Sequence, residues 1–498
     1  MARCIPVFLL LFLVSGSTLF SADEKPNIIF ILLDDLGKEW VSCYGADEIE
    51  TPVFDRLAAE GIRFENFYSM PQCTPTRVAF LTGQYPFRNG WVNHWDVPRW
   101  GGGCHFDSSK NPSIARVMQS AGYKTAVAGK WQINDFRVEP EVMVKHGFDD
   151  YCMWTGYEAG NPPSGNRYWD PYIHTRAGSR TYEGEFGEDI FADFLIDFMK
   201  QNRDEPMFVY YPMCLPHTPF VTTPLEPEAE GKIGMHKAMV RYADHVVGKL
   251  VKAIEELEID DHTILIVTTD NGTSGSISGT MADRLVRGGK TKTTENGING
   301  PFIVYGPGLV PKGKVNHTLC DVTDLLPTFA SLGGAKLPEE PVFDGLSFAD
   351  VILGKSEAGP REWSMAMGGQ NSAALTNEGV ENMWYFRDRV IRGDRYKLWV
   401  SPAREPVKLI DLSKDLFEEN NLIGNTGLQS VVEALFAPVA DQLTKDNDPI
   451  YLPLAPQPWD VKVKAASGEW KSGRPGSEIT YTPDSQSAGK AHKGKKKE

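Results

Sequence analysis

The chain alternates short, wholly apolar runs with longer stretches that are apolar only at every third or fourth position. The first pattern reads as strands buried on both faces, the second as helices lying on those faces. Residues 27–33 (NIIFILL) are the clearest strand. Thr51-Pro52 then opens a helix that Gly61 closes, with Pro at the first helical position and Gly just past the end. Further helices are predicted over 113–121, 190–201 and 236–257, each followed by a strand, at 124–128, 207–211 and 263–268. A short strand is expected at 301–305, and 322–332 reads as a helix interrupted by Pro327 and ended by Gly333-Gly334. This alternation predicts an α/β fold in which a large, mainly parallel sheet is sandwiched by helices.

The two ends break the pattern. Arg3 followed by IPVFLLLFLV (5–14) and a small, polar 15–22 has the layout of an export leader. The apolar run is short for a membrane span of ~20 residues, and no other stretch could cross a bilayer. The mature chain is therefore expected outside the cytoplasm, secreted to a periplasmic or extracellular space. Around 338–360 the texture turns to Pro, Glu and Gly. Beyond it, 390–400 and 408–412 read as antiparallel strands of a smaller α+β subdomain. The organisation expected is a signal peptide at 1–22, a catalytic α/β domain at 23–360, a C-terminal subdomain at 361–464 and a disordered Lys-rich tail at 465–498.

Composition narrows the function. The chain is ordinary globular material, 41% hydrophobic and 23% charged, with a formal net charge of −15. Arg3 and the +4 of residues 490–498 together hold +5, so the body between them stands at −20. Such a body argues against nucleic acid as a partner and requires any anionic substrate to meet a local positive site. The seven cysteines (Cys4, Cys43, Cys73, Cys104, Cys152, Cys214, Cys320) are scattered, with no CxxC pair, so neither a disulfide scaffold nor a zinc site is indicated.

In an open α/β sheet, ligands bind beyond the carboxyl ends of the strands. After the predicted strands come Asp34-Asp35, then Gly129-Lys130-Trp131-Gln132, then Leu215-Pro216-His217, then Asp270-Asn271-Gly272. Each alone is weak: an Asp pair is usually a cap and turn, and Asp-Asn-Gly is a turn signal in any protein. Together they offer three carboxylates and an amide oxygen, a hard donor set suited to Ca²⁺ or Mg²⁺, and crowded carboxylates need a cation. GGKT at 288–291 fails as a phosphate loop, because the required upstream Gly is Arg284.

Cys73-Thr74-Pro75-Thr76-Arg77, followed by Leu81-Thr82-Gly83, resembles the maturation signature of type I sulfatases, of the alkaline-phosphatase-like superfamily. The resemblance extends from about residue 25 to 422. KPNIIFILLDDLG (25–37) looks like the family's opening strand and metal pair, Gly129-Lys130-Trp131 like its G-K-W element and LPHTP (215–219) like its substrate loop. Asp270-Asn271-Gly272 looks like its second metal pair, and GGKTKTTENG (288–297) like its lysine segment. The resemblance implies a sulfuric ester hydrolase whose Cys73 is oxidised to formylglycine by a maturation enzyme. It implies one Ca²⁺ held by Asp34, Asp35, residue 73, Asp270 and Asn271. Arg77, Lys130, His217 and Lys290 are the implied catalytic and substrate-binding side chains.

The chain departs from the family at three places. Thr76 stands where Ser or Ala is usual. Gln132 stands where the family has a histidine thought to act as a base, and Gln cannot take up a proton. Asn296 and Asn299 replace the usual Gly and Arg of E-G-G-x-R. Two other readings stay open at this point. One is a phosphodiester or phosphonate monoester hydrolase of the same superfamily. The other, favoured by Gln132, is a non-catalytic protein that binds sulfated glycans. Trp91, Trp95, Trp100, Trp154 and Trp169 are expected in long loops, where aromatic faces suit sugars, so a sulfated saccharide is the expected substrate.

Overall fold

The structure is a computed structural model that describes residues 25–92, 105–156, 158, 160–368, 373–376, 379–382, 386–452, 461–464 and 470–473. The leader read at 1–22 lies outside the described residues, as does the Lys-rich tail apart from 470–473. That short piece pairs with 461–464 as an antiparallel ribbon.

Among the described residues, thirteen strands precede the smaller sheet: β1 (Asn27–Leu33), β2 (Ile62–Tyr68), β3 (Lys124–Lys130), β4 (Asp150–Trp154), β5 (Tyr172–Thr175), β6 (Gly178–Thr181), β7 (Met207–Pro212), β8 (Thr263–Thr269), β9 (Ser278–Met281), β10 (Arg284–Arg287), β11 (Asn299–Tyr305), β12 (Lys314–Asn316) and β13 (Cys320–Asp321). Eleven form one sheet in the order β12-β2-β11-β8-β1-β7-β3-β4-β5-β6, with β13 also on β2. The centre, β8-β1-β7-β3-β4, is parallel throughout, while β11, β5 and β6 run antiparallel to their neighbours. β9 and β10 form a separate hairpin.

The unbroken apolar run of β1 follows from this position. Ile28, Phe30 and Leu32 enter the core on one face, with Phe80, Tyr210 and Phe329. Ile29, Ile31 and Leu33 enter the core on the other, with Leu195, Val247 and Leu250. Alternate side chains of a central strand point to opposite faces, so both sets must be apolar. Helices Gly187–Asn202 and Gly231–Glu256 cover the second face.

Several elements differ from expectation. β2 (IRFENFY) and β4 (DYCMW) are strands that the hydrophobic pattern did not predict, because polar residues interrupt it. Residues 390–400 form two strands, Arg389–Arg392 and Tyr396–Val400, turning at Gly393-Asp394. Pro327 does not break its helix: it lies in the first turn of Leu325–Gly333, where a backbone N–H has no intrahelical acceptor. Trp154 ends β4 fully buried and Trp91 is also buried, so neither is a loop platform. Trp95 and Trp100 lie outside the described residues. Trp169 does sit in a loop and is 37% exposed.

The smaller sheet is four antiparallel strands, Ser364–Met367, Arg389–Arg392, Tyr396–Val400 and Pro406–Asp411 in that order, with helix Gln429–Ala440 against it. Its apolar side chains Met365, Val390, Leu398 and Leu409 belong to the same core as Phe80 and Phe329. The two units therefore share one apolar interior.

Candidate active site

The central parallel strands end side by side, and the sequence places polar residues at each end. Asp34 and Asp35 follow β1, and Asp270 and Asn271 follow β8. The β1 turn is held by its neighbours: the N–H of Asp34 donates to Leu215 O at 2.9 Å, that of Asp35 to Asp270 Oδ1 at 3.2 Å and that of Gly37 to Thr273 Oγ1 at 2.8 Å. Asp35 adopts φ +67°, a left-handed conformation that Asp tolerates better than most residues. A side chain on Gly272 would meet Asn296 O at 1.9 Å, so the residue after the Asp-Asn pair must be Gly.

Cys73 begins helix Cys73–Thr82 and is 1% exposed. Thr76, one turn on, donates to Asp270 O at 2.6 Å and accepts from Met70 N–H at 3.0 Å. The hydroxyl that departs from the family pattern thus ties the cysteine-bearing turn to the end of β8.

These elements converge. The ligand atoms of Asp34, Cys73 and Asp270 lie within 4.8 Å of one another, as do those of Asp34, Asp35 and His217. Asn271 joins them through its Nδ2, which donates to Asp35 Oδ1 at 2.7 Å. Lys130, the last residue of β3, reaches Asp34 Oδ2 at 2.6 Å. Arg77 donates through Nε and Nη2 to Asp270 Oδ2 at 3.1 and 2.7 Å. Lys290 lies 2.7 Å from Asp35 Oδ1 and 2.8 Å from Oδ2. His217 Nδ1 donates to Thr218 O at 2.6 Å, which fixes the neutral tautomer and turns Nε2 toward Asp35 Oδ2, 3.7 Å away.

The electrostatics are those of a site built for a cation. Burial works to raise the pKa of Asp34, but Lys130, His217, Arg77 and Lys290 outweigh it and hold this carboxyl well below its usual range. Burial and the adjacent Asp34 push Asp270 well above it. Two fully buried carboxylates cannot both ionise cheaply at this separation without a compensating charge. Asp34 Oδ1 and Asn271 Oδ1 are buried with no hydrogen-bond partner, although burying a polar oxygen unsatisfied is costly. Hard oxygens, two of them unsatisfied, fit a Ca²⁺- or Mg²⁺-type ion. Burial and Lys290 hold His217 well below its ordinary pKa, so it is neutral.

The lysine segment is as constrained as its glycines suggest. A side chain on Gly289 would meet the Asn296 backbone at 2.4 Å. The N–H of Lys290 donates to Thr273 O at 3.0 Å and that of Thr291 to Pro71 O at 2.7 Å. Asn296 donates from Nδ2 to Arg287 O, and Asn299 accepts from Lys38 Nζ at 2.8 Å while donating to Glu295 Oε2 at 3.1 Å. Lys38 thus brings a cation to the side chain that replaces the family arginine. Gln132 stands apart: it is buried at φ +100°, and among the described residues no hydrogen bond joins its side chain to the metal set.

Sequence reasoning missed the residues behind the site. Glu188, fully buried, accepts from Cys214 N–H at 2.8 Å and Leu215 N–H at 3.2 Å, and so anchors the His217 loop. Tyr168 donates to Cys214 O at 2.7 Å, and Arg167 Nη2 to Thr218 O at 2.8 Å. The Trp-Asp after Arg167-Tyr168 looks like any loop, and a lone Glu at a helix start reads as a cap.

The Sulfatase family profile matches residues 26–335. The chain is 30% identical to dog N-acetylgalactosamine-6-sulfatase over 378 residues, covering 70% of this chain and 69% of that protein. It is 30% identical to human arylsulfatase A over 470 residues, covering 84% and 87%. The crystal structure of Ps i-CgsB superposes with a TM-score of 0.72 at 24% identity, covering 86% of this chain and 95% of that one. The matched span contains every strand end that feeds the acidic cluster, and the chain belongs to the sulfatase family, enzymes that hydrolyse sulfuric esters.

Proposed function

We propose that this sulfatase removes sulfate from a sulfated saccharide, with residue 73 as formylglycine and one Ca²⁺ held by Asp34, Asp35, Asp270 and Asn271. The observation that carries the reading is the convergence of those four side chains and Cys73 with three cationic groups, Arg77, Lys130 and Lys290. The saccharide is supported by likeness to N-acetylgalactosamine-6-sulfatases, 30% identical over about two thirds of the chain. The export leader adds a secreted location, periplasmic or extracellular. Cys73 is 1% exposed in the fold, so a maturation enzyme must read C-T-P-T-R before the chain closes over it.

Calcium, when bound, supplies the positive charge that lets the three carboxylates coexist and favours ionisation of a hydroxyl beside it. Formylglycine, as its hydrate, offers two hydroxyls where cysteine has one thiol. The surrounding residues then have distinct work. Arg77 orients Asp270 with Nε and Nη2 and brings its positive charge beside residue 73. Lys130 and Lys290 bring fixed positive charge to the same rim. A cation ~4 Å from a sulfate oxygen contributes about 4 kcal/mol at an effective dielectric of ~20, before desolvation. The distant acidic surface is screened beyond about 10 Å. His217, with its one proton held at Nδ1 on Thr218 O, presents a bare Nε2 that can accept a proton, and Lys290 is the group that can pass a proton to the departing alcohol. Gln132 cannot act as a base, so proton removal in this chain falls to another group.

The test compares matched aryl sulfate and aryl phosphate esters on the matured protein and on Cys73→Ala, with calcium content measured in both. The expected result is turnover of the sulfate ester well above the phosphate, lost in Cys73→Ala with calcium retained. Preference for the phosphate ester, or full activity in Cys73→Ala, refutes the reading.

A further inference from the structure

Two segments far apart in sequence meet beside the lysine loop. The β9–β10 hairpin turns at Ala282-Asp283, both left-handed (φ +51° and +60°), the two-residue turn that matches strand twist and leaves little freedom. It runs directly into Gly288-Gly289-Lys290 and is tied back by Asn296 Nδ2 on Arg287 O. Opposite it, Leu416 and Phe417 stand out into solvent, 65% and 50% exposed. Phe417 is not there through looseness. The next residue, Glu418, is buried in a left-handed conformation (φ +60°). Its Oε1 takes Lys397 Nζ at 2.7 Å and its Oε2 the N–H of Glu295 at 3.0 Å. A strained backbone held by a buried ion pair, with an aromatic ring held in water beside a catalytic loop, calls for a functional reason.

The charge pattern supplies one. Arg284 lies with its guanidinium carbon 5.5 Å from the Phe417 ring centroid. Arg284, Arg287 and Lys292 are all exposed, and among the described residues none of them forms an ion pair, in a chain whose net charge is −15. We propose that Arg284 and Phe417 form a subsite for a second anionic sugar ring, next to the ring whose sulfate is cleaved. The C–H face of the pyranose lies on Phe417, and its sulfate or carboxylate meets Arg284. Arg287 and Lys292 extend the positive field toward Lys290. This rests on the saccharide reading above and adds to it that the substrate is an oligomer with more than one anionic unit.

Both side chains are exposed, so Phe417→Ala and Arg284→Gln leave the core untouched. The experiment measures binding of sulfated hexasaccharides from chondroitin sulfate and from carrageenan by calorimetry, and p-nitrophenyl sulfate hydrolysis in parallel. For the hexasaccharide that binds the wild type, the double variant is expected to lose about tenfold in affinity, while KM for the aryl sulfate stays within about twofold. The Arg284→Gln share of the loss shrinks as salt rises. The proposal is overturned if the variants bind as tightly as wild type, if the wild type binds neither hexasaccharide, or if the aryl sulfate KM rises to the same extent. Absence of aryl sulfate turnover in the matured wild type would refute the sulfatase chemistry at residue 73 instead, and hexasaccharide binding would still decide the subsite.

Discussion

The buried charge clusters of this molecule are finished differently. Where the smaller sheet meets the main one, Lys397 donates to Glu295 at 2.9 Å and Glu418 at 2.7 Å, and Glu295 also takes Tyr68 OH and Asn299. Nearby, Arg361 spans Asp324 and Asp321, and both oxygens of each aspartate are bonded. At the ends of β1 and β8 the charges are as deep, yet Asp34 Oδ1 and Asn271 Oδ1 have no hydrogen-bond partner. In the first two clusters every carboxylate oxygen is matched, and they hold parts together. The acceptor oxygens left open at the strand ends are arranged for something that arrives later, and they mark where.

The contrast is broken most directly at residue 73. Cys73→Ala should remove turnover by ~10³-fold or more while changing unfolding free energy by less than about 1 kcal/mol, since the variant cannot carry the aldehyde and the side chain it loses is small. Steady-state kinetics beside a denaturant titration checks both halves. The closed cluster should respond in the opposite sense. Lys397→Met strands two buried carboxylates and is expected to cost about 3–5 kcal/mol of stability, read from the shift in denaturant midpoint, with calcium affinity unchanged.

Glu188 tests the support behind His217. Burial outweighs the hydrogen bonds from Tyr211, Cys214 and Leu215 and raises its pKa from 4.5 to about 7. A carboxyl with a raised folded pKa stabilises fully below its unfolded pKa and loses that contribution as pH climbs through the folded value. Stability should therefore decline between about pH 4.5 and 7 by about 3 kcal/mol from this group. Glu188→Gln should flatten that decline in melts taken across the range. An unchanged slope would mean that the carboxyl titrates normally.

Calcium should give the smallest of these shifts. A ligand at a hundredfold excess over its Kd stabilises by about 2.7 kcal/mol, so adding the ion should raise the melting temperature of wild type and not of Asp34→Asn. A rise of equal size in the variant would place the ion elsewhere.

Much of this was legible because the chemistry is local in sequence. NIIFILL followed by Asp-Asp and TILIVTT followed by Asp-Asn-Gly put strand and ligand in one short stretch, and both strands are fully buried neighbours in register. The polar-interrupted β2 was not legible, because Arg63, Glu65 and Asn66 are half-buried and spoil the run. Trp154 was misread because a strand-end aromatic looks like a loop aromatic until its neighbours are known. Glu188, Lys397 and Arg361 escaped notice for a further reason: each acts through partners 21 to 276 residues away, which no periodicity announces.

The central claim is that an oxidised Cys73 faces a hard cation at the carboxyl edge of the sheet. Mass spectrometry of the tryptic peptide spanning residues 64–77, taken from active protein, tests it most directly. The account predicts CHO in place of CH₂SH at residue 73; fully active enzyme with an intact thiol there would contradict it.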